Sequence, residues 1–384
     1  MMTPETLYKT PLNEAHKRLE AKLVPFGGWE MPLQFGKVLE EHHAVRQAAG
    51  LFDICHMGIL GIASDDVEFT KQSLNLLIPQ NLDTVVPGKA VYTQLLNEQG
   101  GIIDDIIVYW VPANEHFTAL SQFMIICNAS NTPTVLEHIK RHLPEKIALT
   151  HLNDTYGLLA LQGPAFKAIL EKAQLQPSGE EALPKRFRIG EYQLFGNIPA
   201  LVSRTGYTGE DGVELLVSID QVEQVWEQLL TIGKQDGLRP IGLAARDTLR
   251  LEAAYPLHGS ELTPEITPLE AGLGWSVKLD QPYDFMGKDV FLKQKQEGLK
   301  KHFVCFQLEA RAIPRHDQKL QYNGAECGLV TSGSISPTLG IPIGVGYIHA
   351  ECAPAVGDTL QVNIRDKWVD ATIVKRPFYT PPAS

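Results

Sequence analysis

The sequence predicts an α+β protein in two parts, a mixed α/β region followed by a small C-terminal β-barrel. Up to about Trp275, segments with helical periodicity alternate with apolar runs of strand length, as expected when helices pack on sheets. After about Asp289 the segments become short and β-rich, and Gly, Pro and Asn turns separate them. That texture is typical of a small barrel or sandwich. We therefore predict a first region over residues 1–288 and a barrel over residues 289–384.

The first region contains both kinds of element. Val38–Ala49 and Gln221–Ile232 repeat apolar residues three and four apart, which predicts amphipathic helices. A further helix of about three turns is expected to begin at Pro240, because proline suits the first helical position. Apolar runs of strand length lie between these helices: Ile102–Val111, Phe123–Cys127, Leu158–Leu161 and Val213–Val217.

The barrel is predicted from five short segments rich in β-branched and aromatic residues. Each segment is bounded by residues that favour turns. The predicted strands are His302–Glu309, Cys327–Thr331, Ile343–His349, Thr359–Ile364 and Trp368–Val374.

The charge of the chain argues against two classes of partner. Its 384 residues carry a formal net charge of −11. Phosphate backbones and anionic membrane surfaces bind through Lys and Arg, so an acidic chain is repelled by both. Nor does any window approach the roughly 18 consecutive apolar residues that a membrane-spanning helix needs. We expect neither nucleic acid nor membrane as a partner.

The leader region, the cysteines and the histidines of the sequence bear on the cellular compartment and on metal binding. The first twenty residues carry acids and no apolar core, which is unlike a secretory or transit peptide. Five scattered cysteines, never spaced C-x-x-C, favour a reducing compartment. His138 and His142 could share a metal on one helix, but no third ligand is near them in the sequence. We therefore expect a cytoplasmic protein without a metal site.

Common catalytic signatures are missing. The sequence has no phosphate-cradling G-x-x-x-x-G-K-[ST], no G-x-G-x-x-G, no G-x-S-x-G and no H-E-x-x-H. Simple assignments to ATPases, dinucleotide-dependent oxidoreductases, α/β-hydrolases and zinc proteases are therefore excluded.

Two adjacent carboxylates lie inside the predicted strand of Gly100–Trp110 (GGIIDDIIVYW). Side chains alternate along a strand, so Asp104 and Asp105 should point to opposite faces and should not form a shared acid/base pair. A buried carboxylate without a partner is costly, so each one needs an explanation. Two explanations stay open: hydrogen bonds to a turn or a helix start, or membership of a functional site.

Two further stretches place charges beside apolar elements. In Thr205–Val217 (TGYTGEDGVELLV), glycines three apart allow tight turns, and Glu214 begins an otherwise apolar strand. We expect Glu214 to face a pocket or an ion pair, although a solvated hairpin is the alternative. In Pro240–Pro256, Arg246 and Arg250 lie four apart on one helical side, and Asp247 and Glu252 could answer them in part. These arginines could hold an anionic ligand or form a structural salt-bridge helix.

Taken together, nine stretches resemble the aminomethyltransferases of the glycine cleavage system, the T-proteins. They occur in the family's order and cover essentially the whole chain. They are TPLNEAH (Thr10–His16), FGGWEMPLQF (Phe26–Phe35), GLFDICHMG (Gly50–Gly58), GGIIDDIIVY, ALQGP (Ala160–Pro164), TGYTGEDGVE, GLAARDTLRLEA (Gly242–Ala253), TSGSISPTLG (Thr331–Gly340) and KRPFY (Lys375–Tyr379).

The resemblance implies a folate-binding region followed by a small barrel, and a transferase of glycine catabolism and one-carbon metabolism. Its co-substrate would be tetrahydrofolate, and its partner would be the lipoylated H-protein, with no metal and no flavin. The family takes an aminomethyl group from the lipoyl arm, releases ammonia and forms 5,10-methylenetetrahydrofolate.

The resemblance also assigns roles to residues. The second Asp of the GG-x-[IL]-DD strand is catalytic in the family, and here that residue is Asp105. Glu214 and Arg246 would line the folate site, where Glu214 can accept two adjacent N–H groups of a pterin. We expect Arg246, together with Arg250, to meet the anionic glutamyl tail. The remaining pocket residues would be Tyr207, Tyr109, Met57, Tyr255 and Trp275.

One departure and two rival assignments are notable. Cys55 stands where the family more often has Ser, which leaves the role of this thiol open. A folate-binding relative that assists iron–sulfur assembly would carry a K-G-C-Y stretch, which is absent here. The folate half of a sarcosine or dimethylglycine dehydrogenase would accompany a flavin-binding region, and this sequence has no G-x-G-x-x-G.

Overall fold

The computed structural model of the protein describes residues 7–309, 312–352 and 354–382. Residues 1–6 of the first predicted region and residues 310, 311, 353, 383 and 384 of the second lie outside these ranges. The strands of the first region are Tyr8–Lys9 (β1), Lys22–Phe26 (β2), Trp29–Gln34 (β3), Ala49–Asp53 (β4), Gly58–Ala63 (β5), Ala90–Leu96 (β6), Ile102–Trp110 (β7), Phe123–Cys127 (β8), Ala148–His151 (β9), Tyr156–Gln162 (β10), Gln176–Pro177 (β11), Ile189–Leu194 (β12), Ile198–Ser203 (β13), Gly212–Ser218 (β14) and Leu238–Pro240 (β15).

The helices mostly flank these strands. They are Asn13–Arg18 (α1), Val38–Gln47 (α2), Val67–Asn75 (α3), Thr132–His142 (α4), Phe166–Lys172 (α5), Val222–Gly233 (α6), Leu243–Glu252 (α7) and Lys288–Glu297 (α8). Two predicted helices are confirmed as α2 and α6. The expected helix start at Pro240 is wrong, because that residue ends β15, and the helix begins only after Gly242.

Three sheets form the first region. The largest has the strand order β11-β12-β13-β14-β10-β4-β15, a five-stranded sheet has the order β6-β7-β8-β5-β9, and a small sheet has the order β1-β3-β2. Buried residues of the two larger sheets share one apolar cluster, which includes Tyr109 and Met124 from one sheet and Leu201 and Leu216 from the other. These two sheets therefore pack against each other, and this packing brings β7 towards β14.

The C-terminal part is a closed six-stranded barrel, as the sequence predicts. Its strand order is β16-β19-β18-β17-β20-β21. The strands are Lys301–Leu308 (β16), Lys319–Tyr322 (β17), Ala325–Ile335 (β18), Pro342–His349 (β19), Thr359–Ile364 (β20) and Lys367–Val374 (β21). Five of them match predicted segments, whereas β17 was missed. The predicted boundary between residues 288 and 289 falls at the start of α8 and stays a prediction.

The barrel packs on the C-terminal end of α7. Leu251 and Ala254 share an apolar cluster with Cys305, Ile343 and Val345 of the barrel. Burial of each Leu, Ile or Val side chain in this cluster contributes about 1.5–3 kcal/mol relative to an exposed one. Polar contacts at Arg250 and Glu252, described below, add to this apolar interface. Among the described residues, none of the helices is both long enough and apolar enough to cross a membrane.

Candidate functional site

Asp105 lies near the middle of β7, and two neighbouring elements hold its half-buried side chain. Its Oδ1 accepts a hydrogen bond from Asn128 Nδ2 at 2.8 Å, and its Oδ2 accepts one from the Tyr92 hydroxyl at 3.0 Å. Burial raises the pKa of Asp105, although the hydrogen bonds from Tyr92 and Asn128 and the positive charge available at His258 oppose that rise. The carboxylate is therefore fixed in direction and partly removed from water.

Asp104 is fully buried and is satisfied by the same asparagine. Its Oδ1 accepts from Asn128 Nδ2 at 2.7 Å, and its Oδ2 accepts from the Asn128 backbone N–H at 3.0 Å. Asn128 directly precedes the turn that leads into α4. Hydrogen bonding to a helix start, one of the two explanations left open, is thus correct for Asp104.

The two carboxylates are linked indirectly, through one asparagine. The side-chain amide of Asn128 contacts both of them. Burial, and then the charge of Asp105, raise the pKa of Asp104 to about 8. Alternation along β7 describes only the directions of its own side chains, whereas Asn128 follows the neighbouring strand β8 and reaches both groups from there.

Glu214 lies in a cluster of hydroxyl groups that includes Tyr109 of β7. Its Oε2 accepts hydrogen bonds from the hydroxyls of Thr205 and Tyr109, the latter at 3.3 Å. Ser203 in turn bonds the Thr205 hydroxyl at 2.8 Å. Burial raises the pKa of Glu214, and the nearby charge of Arg246 opposes this. Glu214 is half-buried, so the alternative of a hairpin with a solvated glutamate is wrong. Within the described residues, Glu214 forms no ion pair.

The loop before Glu214 depends on its glycines. A Cβ at Gly206 would lie 2.0 Å from Oε1 of Gln162, a fully buried side chain. Gly209 has a φ of +83°, a left-handed conformation that side chains rarely tolerate. Gln162 Nε2 donates to the Thr205 carbonyl at 3.1 Å, so it fixes the loop from below.

Arg246 projects from α7 into the same region. Its guanidinium carbon lies 4.5 Å from the centre of the Tyr207 ring. Burial lowers the pKa of Arg246, while the charges of Asp247 and Asp105 oppose that change. In the described part of the chain, Arg246 forms no salt bridge, so this cation stacks on an aromatic ring without an anion in contact.

Arg250 does not have the role expected for it. Its guanidinium pairs with Asp247 at 2.8 Å and with the buried Glu261 at 2.9 Å, and it donates to Ser332 Oγ of the barrel at 2.9 Å. Only 2% of the residue is exposed. Because its donors are already used, Arg250 joins α7 to the barrel and is not available to an anionic ligand. The expected contribution of Arg250 to tail binding is therefore wrong.

Glu252 takes part in a second link to the barrel. Arg46 Nη2 contacts its Oε2 at 2.9 Å, and the Thr338 N–H and hydroxyl donate to its carboxylate at 3.0 and 2.8 Å. Ser336 and His42 complete the set. Glu252 therefore forms a salt bridge with Arg46 rather than with the arginines of its own helix.

Three of the predicted aromatic residues lie in two ring pairs, one tilted and one stacked. Tyr207 donates its hydroxyl to the Pro256 carbonyl, and its ring lies 5.8 Å from that of Tyr255. Trp275 stacks on Tyr92 with ring centres 5.7 Å apart, and Tyr92 in turn bonds Asp105. Tyr255 and Trp275 are 39% and 58% exposed. Each ring pair therefore has one aromatic side chain at the protein surface.

Met57 and Tyr109 lie deeper. Tyr109 is buried at the junction of the two large sheets, and Met57 packs against the same apolar cluster. Asn153 Nδ2 donates to the Met57 carbonyl at 2.8 Å, which fixes the loop that carries it.

Three residues of this arrangement were missed by the sequence analysis: Tyr92, Asn128 and Thr205. Tyr92 lies on β6, a strand that was not predicted. Asn128 directly follows the predicted strand Phe123–Cys127, so a polar residue at a strand end was the available signal. Thr205 was part of a quoted motif without an assigned role.

The Cys55 thiol is enclosed. It donates to the Leu158 carbonyl at 3.3 Å, and burial raises its pKa well above the usual value for cysteine. A thiol that stays protonated is a poor nucleophile. Among the described residues, no group of three or more His, Cys, Asp or Glu side chains is placed to hold a metal ion.

Comparisons with known proteins agree over the whole length. Residues 12–281 match the GCVT N-terminal domain, and residues 301–380 match the glycine cleavage T-protein C-terminal barrel domain. The chain is 41% identical over 371 residues to an aminomethyltransferase of Natranaerobius thermophilus, with 97% of this chain and 98% of that relative covered. An aminomethyltransferase of Bacillus subtilis is 40% identical over 373 residues, covering 97% and 99%.

A solved structure is similar in fold as well as in sequence. The glycine cleavage system aminomethyltransferase T from Bartonella henselae superposes with a TM-score of 0.87 at 32% identity. The match covers 98% of this chain and 99% of that one.

Proposed function

The chain belongs to the glycine cleavage T-protein family and is an aminomethyltransferase of the glycine cleavage system, and from that premise we propose how its residues act. The family transfers one carbon from the aminomethyl-lipoyl H-protein to tetrahydrofolate. The products are 5,10-methylenetetrahydrofolate, ammonia and the dihydrolipoyl H-protein. We assign catalysis to Asp105 and folate binding chiefly to Glu214 and Arg246.

This proposal rests on the positive charge of Arg246, which forms no salt bridge among the described residues. A partly buried guanidinium without a carboxylate in contact is unfavourable unless a ligand answers it. The charge of Asp105 raises the pKa of Arg246, and the charge of Arg246 lowers the pKa of Glu214, so the three groups lie near enough to interact electrostatically. Arg246 is therefore suited to the anionic part of folate, without help from Arg250.

Glu214 is suited to orient the pterin ring. Thr205 and Tyr109 occupy its Oε2, whereas its Oε1 accepts no hydrogen bond from the described residues. A pterin edge presents adjacent N–H groups that a carboxylate can accept. The rings of Tyr207, Tyr255 and Trp275 and the side chain of Met57 would supply flat and adaptable apolar contact.

Asp105 is suited to stabilise the charge that develops during transfer. Positive charge grows at the folate nitrogen and methylene carbon as ammonia leaves, and a carboxylate already fixed in direction lowers the energy of that state. Tyr92 and Asn128 supply the fixed direction at 3.0 and 2.8 Å. The raised pKa also suits Asp105 to accept or relay the proton released at the folate nitrogen.

The remaining assignments concern partners and location. We assign the lipoylated H-protein and tetrahydrofolate as the partners of this chain, with no metal, flavin, nucleic acid or membrane involved. The formal charge of −11 supports the exclusion of nucleic acid. The five cysteines are free thiols, which supports a reducing compartment, and we place the protein in the cytoplasm.

Ammonia release from aminomethyl-loaded H-protein, with and without tetrahydrofolate, tests the mechanism. Asp105→Asn should bind folate in calorimetry but lose about 10²–10⁴-fold of turnover, the usual range for a positioned acid or base. Glu214→Ala should raise the folate dissociation constant. Asp66→Asn, a change to a remote helix cap, serves as the control. Near-normal turnover in Asp105→Asn would refute the catalytic assignment, and unchanged folate binding in Glu214→Ala would remove Glu214 from the site.

A further inference from the structure

One asparagine joins the two neighbouring carboxylates of β7. Asn128 Nδ2 donates to Asp104 Oδ1 at 2.7 Å and to Asp105 Oδ1 at 2.8 Å, and it lies 3.4 Å from the Asp105 carbonyl oxygen. The Asn128 backbone N–H donates to the second carboxylate oxygen of Asp104, at 3.0 Å. The carboxylate of Asp104 therefore holds Asn128 through two hydrogen bonds, whereas the carboxylate of Asp105 receives one.

This bridge is enclosed on the Asp104 side and open on the Asp105 side. Asp104 is completely buried, while Asp105 is half-buried and faces Tyr92 and the proposed folate pocket. Among the described residues, neither carboxylate forms a salt bridge. The direction of Asp105 is consequently set by neutral donors, Tyr92 and Asn128, and the orientation of one of these donors is set by Asp104.

We propose that Asp104 is a positioning residue for the transfer reaction, which orients the carboxylate of Asp105 through the side-chain amide of Asn128. The inference rests on the proposed catalytic role of Asp105 and deepens it. Without Asp104, the amide is free to rotate about its last torsion and can present its oxygen to Asp105. A carboxylate facing a carbonyl oxygen turns away, and such displacements near 1 Å can cost about 10²-fold in rate.

A helix cap alone would not need this arrangement. Asp66 caps α3 with a single bond from the Phe69 N–H to its Oδ1, at 3.1 Å on the surface. One oxygen of Asp104 instead accepts a hydrogen bond from a side-chain amide that also donates to the proposed catalytic group. Asp66 therefore provides a matched control for the loss of a capping carboxylate without a connected site.

The test compares Asp104→Asn with Asp66→Asn in the full-length protein. Asp104→Asn keeps the shape but replaces one acceptor with an N–H₂ that opposes the donors of Asn128. We expect kcat per folded molecule to fall about 10–100-fold, while the dissociation constant for tetrahydrofolate changes less than about twofold. Asp66→Asn should change neither quantity. Equal kcat in the two variants would overturn the inference and leave the role of Asp105 untouched.

A double-mutant cycle with Asn128→Leu separates positioning from a general structural loss. Leu is close to Asn in shape but has no donors, so it cuts the bridge from the other side. If Asp104 acts through the amide, Asp104→Asn should cost little further kcat in the Asn128→Leu background. An equal further loss in both backgrounds would show that Asp104 does not act through Asn128. The cycle also keeps the inference testable if Asp104→Asn alone lowers stability.

Turnover against pH supplies a third readout. The pKa of Asp104 is raised to about 8. The titratable groups near it are Asp105, the next residue of β7, and Cys127 of the neighbouring strand β8, while Tyr92 and His258 lie near Asp105. An ionisation between pH 7 and 9 should therefore affect kcat in the parent protein and disappear in Asp104→Asn. Its persistence in that variant would exclude Asp104 as its source.

Discussion

Replacing Glu252 with Gln should destabilise the protein by about 3 kcal/mol at pH 7. Glu252 is completely buried where the barrel meets α7, and Arg46 and Thr338 contact its carboxylate at 2.8–3.1 Å. Breaking a buried ion pair on one side costs about 3–5 kcal/mol. Arg46 keeps a second partner, Glu210 at 2.9 Å, so we expect the lower end of that range.

The pKa of Glu252 gives a similar magnitude. Burial alone would raise it, but the hydrogen bonds from His42 and Ser336 and that from the Thr338 N–H lower it from 4.5 to about 2. A lowering of that size corresponds to about 3 kcal/mol. Burial lowers the pKa of His42, so this histidine is largely neutral at pH 7 and the figure is an upper value. Both routes give about 3 kcal/mol.

The sign of the pH dependence follows from that lowered pKa. Stability from Glu252 is fully present above the unfolded-state value of 4.5 and is lost as the pH falls towards 2. Urea unfolding of the parent protein and of Glu252→Gln should thus differ by about 3 kcal/mol at pH 7 and by clearly less at pH 3. The control is Glu223→Gln, which breaks an exposed pair with Arg18 and should cost less than about 1 kcal/mol. A Glu252→Gln variant as stable as this control, or a difference independent of pH, would refute the reasoning.

Two substitutions test the site, and one labelling experiment tests the burial of Cys55. Arg246→Met should weaken tetrahydrofolate binding at least about tenfold, because the ligand loses its charged partner. The same change should raise the unfolding free energy by about 1 kcal/mol, because a desolvated cation is removed. Calorimetry would measure the binding and urea unfolding the stability, and weaker binding together with lower stability would contradict this expectation. Tyr92→Phe should lower kcat about tenfold by removing one donor to Asp105, measured as ammonia release, and unchanged kcat would show that this donor is dispensable. Cys55 should react with iodoacetamide only after unfolding, since its thiol is buried and protonated; rapid labelling of the native protein, followed by mass spectrometry, would contradict that expectation.

Local pattern was sufficient for elements whose apolar spacing is clear. Helices α2 and α6 and strand β8 were predicted within about two residues because their apolar spacing matches their burial. Strand β17, only Lys319–Tyr322, was missed because two of its four residues are polar and its stability comes from pairing with β18 and β20. A short strand of this kind is defined by its neighbours rather than by its own composition.

The sequence named candidate site residues but did not reveal how they are connected. Motifs identified Asp105, Glu214 and Arg246 as candidates, and their roles stay predictions. The use of Arg250 could not be foreseen, because its partner Glu261 follows eleven residues later, beyond the end of the helix. The bridge through Asn128 was equally hidden, since the alternation rule concerns one strand and the asparagine comes from the end of another.

Helix α7 links the barrel to the proposed folate site. It carries Arg246 near its first turn and Arg250 and Glu252 near its last, and the six residue steps from Arg246 to Glu252 span about 9 Å along the axis. The barrel holds the last turn through Ser332 to Arg250 and through Thr338 to Glu252. A helix of this length behaves as a rigid rod, so a displacement of its last turn moves Arg246 as well. Weakening the barrel contacts should therefore reduce folate affinity although no barrel residue needs to touch folate, and Glu252→Gln should show this loss in calorimetry at temperatures where it remains fully folded.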